Sequence, residues 1–362
     1  MIIESIQLEN FRNYNSMKLK FDSGTNIFYG NNAQGKTNIL EAVYLCGTTK
    51  SHRGSRDKDI IQFHRDESHI RMHLSKNESS YMIDMHLKKN KAKGIAINGV
   101  PIRKAGELLG IGNFVFFSPE DLNIIKNGPG ERRRFIDLEL CQLNKIYLYN
   151  LSNYNKAVNQ RNKLLKDLYY HPEYEEMLEL WDEQMVSYGQ KIIRDRENFV
   201  KVLDGIAKRV HAKLSGNKEE LSIHYEKSVE PEQFLEILKK NRERDKKFKM
   251  TFSGPHRDDL NFMAGNIDIR KFGSQGQQRT VALSLKLAEI DFVRREIKDT
   301  PVLLLDDVLS ELDSRRQSYL LDSIHDIQTL ITCTGLDDFI ANRFEINKVF
   351  YVEEGKAEEH LK

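Results

Sequence analysis

No stretch of this chain approaches 18 consecutive apolar residues, so none of its segments is expected to span a membrane as a helix. The first residues carry Glu4 and Glu9 and lack a basic segment followed by a long apolar one, so no secretory signal is expected. Cysteine is scarce: Cys46, Cys141 and Cys333 are scattered, with no C-x-x-C pair. That argues against a zinc site or a disulfide framework and suits a reducing cytoplasm. Net charge is also nearly absent, 56 basic residues facing 54 acidic ones. A polyanion could therefore be held only through local clusters. No internal repeat or low-complexity tract stands out.

What is present is a phosphate loop. Gly30, Asn31, Asn32, Ala33, Gln34, Gly35, Lys36 and Thr37 fit G-x-x-x-x-G-K-[ST] at every fixed position, with Asn38 following. The apolar burst Thr25 to Tyr29 leads into it, and Ile39, Leu40, Val43 and Tyr44 follow at helical spacing, which favours this reading over a coincidental glycine turn. In such a loop backbone N–H groups turn inward on a phosphate at a helix N-terminus. Lys36 would bridge the β- and γ-phosphates of ATP, and Thr37 would place its hydroxyl on Mg2+.

About 270 residues later, Val302 to Asp307 reads as a buried strand ending in two carboxylates. Alone it could be a strand closing on a solvated turn. Paired with the loop, Asp306 becomes the magnesium partner and Asp307 the group that polarises an attacking water, so Lys36, Asp306 and Asp307 are the candidate catalytic residues. A divalent cation offsets the mutual repulsion of adjacent carboxylates. Ser274, Gln275, Gly276, Gln277 and Gln278 open a further helix through Leu283, Leu287 and Ile290. They form either a polar cap on a core helix or a second anion site for a phosphate held by another subunit.

Strand periodicity marks Ile2 to Leu8, Met17 to Phe21 and Tyr81 to Leu87, and Asn98-Gly99 between apolar stretches predicts a tight hairpin. Phe114 to Phe117 reads as a short buried strand, followed by a helix start at Ser118 to Asp121. Helix formers then dominate at 131–169, 173–214 and 231–243, and strand character returns at Lys249 to Phe252 and Asn266 to Ile269. The expected fold class is α/β: a phosphate-loop head with a mixed sheet and helices, from residues 1–118 and 265–362, and an inserted, mostly helical lobe at 119–264.

The loop, the Ser274 to Gln278 segment, the Asp306-Asp307 pair and Ser310-Glu311-Leu312-Asp313 together resemble ATP-binding-cassette heads of the SMC-like branch. Leu8 to Tyr14, Ser51-His52-Arg53, Phe117 to Leu122, Gly130 to Asp137 and Ser253 to Leu260 narrow the resemblance to the RecF family, in order along essentially the whole chain. The inserted segment is too short for the long coiled coils of SMC proteins. The resemblance implies two heads sandwiching ATP, the Ser274 to Gln278 signature acting in trans on the partner's nucleotide and Ser310 and Asp313 linking the two sites. It also implies that Arg12 and Arg53 reach the nucleotide. Asp307 stands where many relatives carry glutamate, Thr334 and Gly335 stand where transporters place a histidine, and no clear glutamine marks the lobe boundary at Phe117 to Asp121. Weak, DNA-stimulated ATP hydrolysis, used as a switch, is the expectation.

The same resemblance implies a cytoplasmic recombination mediator with no membrane partner, an ATP-dependent homodimer acting with RecR and RecO on gapped, duplex and single-stranded DNA without reading sequence. Recombinational repair, replication restart and SOS induction are its expected settings. Candidate DNA contacts are Arg132, Arg133, Arg134, Lys246 and Lys247, although such basic runs also serve as solvated faces, and little aromatic interleaving is visible around them. A transporter ATPase subunit, a small-molecule kinase and a DNA-binding protein with a vestigial nucleotide site are the alternatives.

Overall fold

A computed structural model describes residues 1–336, 339 and 344–360. Its contacts divide the chain into two compact units, Met1–Asp121 with Lys286–Lys362, and Leu122–Leu285.

The first unit is built on two six-stranded sheets. One runs Lys356–Glu359, Lys348–Glu353, Thr25–Tyr29, Thr329–Cys333, Val302–Asp306 and Phe114–Phe117 in spatial order; all but the first are mutually parallel. Parallel strands are covered on both faces, hence the apolar runs Phe114–Phe117 and, in Val302–Asp306, the four residues before Asp306; every residue of both strands is buried. Leu303, Leu304 and Leu305 are fully shielded, each contributing roughly 2 kcal/mol by its burial. Thr329–Cys333 lies between the strand that feeds the phosphate loop and the strand that carries Asp306, bringing Phe28 level with Thr332 and Thr332 level with Asp306. Both motifs thus emerge at the carboxyl ends of parallel strands, where open α/β sheets place their ligands.

The second sheet is antiparallel, in the order Tyr14–Lys20, Ile2–Phe11, Glu67–Lys76, Ser79–Lys88, Lys91–Ile97 and Val100–Pro101. Asn98 and Gly99 both take positive φ in the predicted hairpin, as a two-residue mirror-image turn requires. Gln328 ties the sheets together, accepting from the Ile3 N–H at 2.6 Å and donating to the Ile3 carbonyl at 2.8 Å.

The second unit holds the helices Pro129–Leu143, Lys145–Asp167, Met177–Ser215, Phe234–Lys240 and Arg242–Phe248. The expected helix across 131–169 breaks at Asn144, whose side chain accepts from the N–H groups of Ile146 and Tyr147 and so caps a new helix. The 39-residue Met177–Ser215 helix, about 58 Å long, buries Met185, Ile192, Phe199, Leu203 and Val210 along one stripe.

Polar residues also fill this core. Arg161, wholly buried, donates to Asp182 at 2.6 Å, Asp245 at 2.7 Å and Thr251 at 2.8 Å. Arg196 donates to Asp137 at 2.7 Å and to the Pro255 carbonyl at 2.6 Å. Buried charges persist where they are paired and hydrogen-bonded in this way.

Two expectations for this lobe change. It contains a three-stranded antiparallel sheet, Ile267–Asp268, Asp259–Ala264 and Leu221–Glu226. Strand character at 266–269 therefore belongs to this sheet, and the division falls at Leu285/Lys286, within the Gln275–Ile297 helix, instead of at 265. The expected strand Lys249 to Phe252 is absent: Lys249 is left-handed, and the N–H groups of Thr251 and Phe252 bond to the side chains of Asn162 and Asp245.

Candidate nucleotide-binding site

Gly30 has φ 145° and Gly35 φ 113°, conformations that side chains rarely adopt. A Cβ on Gly30 would lie 2.4 Å from the Val352 carbonyl oxygen, and one on Gly35 would lie 2.5 Å from the Asn13 amide. The loop therefore runs backbone against backbone into the Lys36–Thr48 helix, whose buried face carries Ile39, Leu40 and Val43.

Lys36 folds back over this loop, donating to the carbonyls of Gly30 and, at 2.9 Å, Asn31. Burial draws its pKa down, and the negative charges of Asp307 and Asp306 act against that. Thr37 Oγ1 donates to Asp306 Oδ1 at 2.6 Å, joining the two halves of the motif set. Thr332 Oγ1 donates to the same oxygen at 2.8 Å and accepts from the Asp307 N–H at 3.0 Å. Burial pushes the Asp306 carboxyl up, while the two hydroxyl bonds and the charge of Arg53 pull it down; the net displacement is upward. Asp307 is left-handed, φ 52°, and its carbonyl accepts from Ser310 Oγ at 2.8 Å. Asp313 caps the Ser314–Ile324 helix through the Arg316 N–H and holds the Arg316 guanidinium at 2.7 Å.

Thr37 Oγ1 and Asp306 Oδ1 are hard oxygen donors of the kind Mg2+ prefers. Among the described residues no group of three or more His, Cys, Asp or Glu gathers as a metal cage. The donor set suits an ion that keeps waters and borrows phosphate oxygens.

Arg12 and Arg53 part company. The Arg12 guanidinium takes Glu41 in a two-point pair at 2.7 and 2.9 Å, and also reaches Ser55 and the Asp59 carbonyl, each at 2.8 Å. Glu41 is fully buried; burial pushes its carboxyl up, but the hydrogen bonds from Arg12 and Ser51 outweigh that and hold it below the usual range. A buried carboxylate thus holds Arg12 in place. Arg53 is exposed, 3.4 Å from the Asn38 side chain.

Sequence reasoning missed the groups that brace the loop. Asn13 donates to the Gln34 carbonyl and accepts from Asn38, both at 2.8 Å, while Tyr14 donates to the Gly35 carbonyl at 3.1 Å. From the other side the Glu354 N–H donates to Gln34 Oε1 at 2.7 Å. Asn13 and Tyr14 stood inside a quoted motif, but nothing local to them marks a contact 21 residues away. Thr332 likewise carries no local signal of its contacts with Asp306 and Asp307.

In the second unit Ser274 and Gln277 form a capping box. The Ser274 N–H donates to Gln277 Oε1 at 2.9 Å, and the Gln277 N–H reaches Ser274 Oγ at 3.3 Å. Gln277 also holds Glu219 at 2.6 Å, and buried Gln278 bonds to the Ile269 carbonyl at 3.1 Å. Ser274, Gln275 and Gly276 are exposed, as is Phe272 beside them at 77%.

The candidate DNA contacts largely dissolve. Arg132 is buried: its guanidinium pairs with Asp259 at 2.5 and 3.1 Å and donates to the carbonyls of Ile124 and Asn127. Arg133 donates to the Asp258 carbonyl at 2.7 Å. Lys246 is shared between Glu175 at 2.5 Å and Glu243 at 2.9 Å. Distant acids hold Arg132 and Lys246 and a distant carbonyl holds Arg133, whereas Arg134 and Lys247 are exposed.

The family model described as the RecF/RecN/SMC N terminal domain matches residues 2–358. DNA replication and repair protein RecF of Agathobacter rectalis is 61% identical over 358 residues, covering 99% of each chain. The chain belongs to the RecF family. The RecF protein of Lachnospira eligens is 58% identical, with 98% of each chain covered. Among solved structures, the recombination mediator protein RecF-ATP of the RecFOR pathway superposes with TM-score 0.94 at 36% identity, covering 99% of this chain and 98% of that one. An Smc head domain from Pyrococcus furiosus, 18% identical with TM-score 0.58, shares the fold. Among the described residues no helix is long and apolar enough to cross a membrane.

Proposed function

We propose that this RecF-family chain is an ATP-switched recombination mediator in DNA replication and repair. It binds ATP and Mg2+ at the loop, pairs with a second copy through the Ser274 segment, and holds gapped or junction DNA by its backbone, working with RecR and RecO. The observation that carries the reading is the 2.6 Å contact between Thr37 and Asp306, which gathers a phosphate loop and two carboxylates at the carboxyl end of a parallel sheet. Named relatives in DNA repair, and the ATP complex of a 36% identical RecF, support it.

Lys36, now bonded to the carbonyls of Gly30 and Asn31, would hold phosphate oxygens, and Thr37 and Asp306 would hold the ion. Bound Mg2+ supplies charge neutralisation between the phosphates. Asp307 orients the attacking water with a carboxylate one methylene shorter than glutamate, which makes turnover slow and ATP a timer for pairing. Ser274 and the N–H groups at the start of its helix complete the partner's site; each charge-assisted hydrogen bond there is worth roughly 1.5 to 3 kcal/mol.

Ser274→Arg tests the pairing. The variant should bind ATP as a monomer while the wild type dimerises with ATP in sedimentation; ATP-dependent dimers of the variant refute the shared site. A DNA-binding protein with a vestigial nucleotide site predicts that ATP leaves DNA affinity unchanged at fixed salt. The mediator role predicts a rise.

A further inference from the structure

The basic segment at 239–249 separates on folding into two populations. Lys239 pairs with Glu179 at 2.8 Å, Arg242 with Asp182 at 2.9 Å, and Lys246 with two glutamates. Arg244, Lys247 and Lys249, joined by Arg257, make no ion pair among the described residues, and each lies over an aromatic ring. The Arg244 and Arg257 guanidinium groups sit 4.3 and 5.1 Å from the centre of Phe252. The Lys247 ammonium lies 5.8 Å from Phe248, and that of Lys249 lies 5.0 Å from Tyr169. The rings also meet one another edge to face, Phe248 with Phe252 at 5.5 Å and Tyr169 with Tyr170 at 5.0 Å.

This strip is open to water. Tyr169 is 72% exposed, Tyr170 76% and Phe248 57%. Isolated exposed aromatics are ordinary, whereas adjacent ones threaded with unpaired cations mark an interaction surface.

We propose that the strip is a stacking platform for unpaired nucleic-acid bases, carried by each single chain and independent of the nucleotide switch. Flat apolar faces alternate with positive charge, matching a single strand that offers one flat base and one phosphate per nucleotide. Duplex DNA keeps its base faces stacked inside and could use only the cations. An acidic peptide would also find cations, but peptide anchors need a concave pocket, and Tyr169, Tyr170 and Phe248 stand more than half exposed. The inference extends the DNA-binding reading above and needs neither ATP nor pairing.

The test uses the full chain without nucleotide, at low and moderate salt, with an oligothymidylate of about 20 nucleotides carrying 2-aminopurine. The wild type should bind as a monomer and change the probe's fluorescence as its base stacks. Tyr169→Ala with Tyr170→Ala, and separately Phe248→Ala, should each weaken single-strand binding by roughly tenfold or more. Duplex affinity and ATP-driven dimerisation should stay at wild-type values in both variants. Tyr169→Phe with Tyr170→Phe, which keeps the rings, should retain binding. Equal losses on single strand and duplex, unchanged single-strand affinity in the alanine variants, or no single-strand binding by the wild type would each overturn the platform. So would an acidic aromatic peptide that displaces the oligonucleotide and binds more tightly. Failure of ATP to raise duplex affinity would count against the mediator switch and leave the platform standing.

Discussion

Replacing Arg132 by Met separates a core role from a DNA-contact role. The Arg132 side chain is 5% exposed, held by two contacts to Asp259 and two backbone carbonyls. Met fills similar volume but leaves those carbonyls without their donor and Asp259 short of a counter-charge. Removing one partner of a buried ion pair costs about 3 to 5 kcal/mol. Arg270 still approaches Asp259 at 3.0 Å, which places the loss near the lower end, about 3 kcal/mol. For a unit of this size that corresponds to a fall in Tm of roughly 6 to 12 °C. The only tryptophan, Trp181, packs beside Leu164, Leu165 and Leu178 in the same unit, so its fluorescence reports this unfolding directly. The salt dependence of DNA binding by the folded variant should keep its slope, whereas loss of a phosphate contact would lower it by about one. An unchanged urea midpoint with a reduced slope would refute the structural assignment.

Asn13→Ala removes two bonds that brace the phosphate loop, each worth about 1 kcal/mol, so nucleotide affinity should fall about 30-fold in titrations with a fluorescent analogue. An affinity within twofold of wild type would show that the loop keeps its shape unaided. His256 is inserted between Tyr154 Oη at 2.7 Å and the Thr251 carbonyl at 3.1 Å, and burial lowers its pKa from 6.5 to about 4. The unfolded chain therefore takes up the proton more readily, and stability that is complete above pH 6.5 drains away as pH falls toward 4. Between pH 7.5 and 5 the loss from this group is about 2 kcal/mol, and His256→Gln should flatten the pH dependence of the Trp181-detected midpoint; an identical dependence in both proteins would exclude His256 as its source.

What could be read in the sequence was whatever depends on neighbours along the chain. Thr25–Tyr29 and Phe114–Phe117 were visible because a doubly covered strand must be apolar throughout, and the Asn98-Gly99 turn because its backbone demands those residues. Leu221–Glu226 and Asp259–Ala264 were missed because each mixes polar and charged residues into a short run, and only their pairing across the lobe makes them strands. Arg132 looked like part of a solvated basic run because its partner, Asp259, lies 127 positions away. Part of the aromatic strip was hidden for the same reason: Phe248 and Phe252 lie in or beside the basic segment, but Tyr169 reaches it only by folding.

The groups expected to meet phosphate are already satisfied by the chain itself, and this bears on how the proposed switch would work. Lys36 holds loop carbonyls, Thr37 holds Asp306, and Ser274 is engaged with Gln277. Nucleotide binding is therefore an exchange of partners, and each new bond contributes only its difference from the one it replaces. For Lys36 and Thr37 the present partners lie within one loop and one strand end of the same chain, so a nucleotide bound at that loop could replace them without a second chain. Ser274 differs. Its bond to the Gln277 N–H is long, 3.3 Å, and releasing the hydroxyl costs the Gln275–Ile297 helix about 1 kcal/mol of capping. In the proposed pairing, that cost would be offset when a second chain presents its own phosphate to the same serine. On the proposed reading, nucleotide capture and pairing are separable steps with separate residues, so a substitution at Ser274 should abolish the second and spare the first.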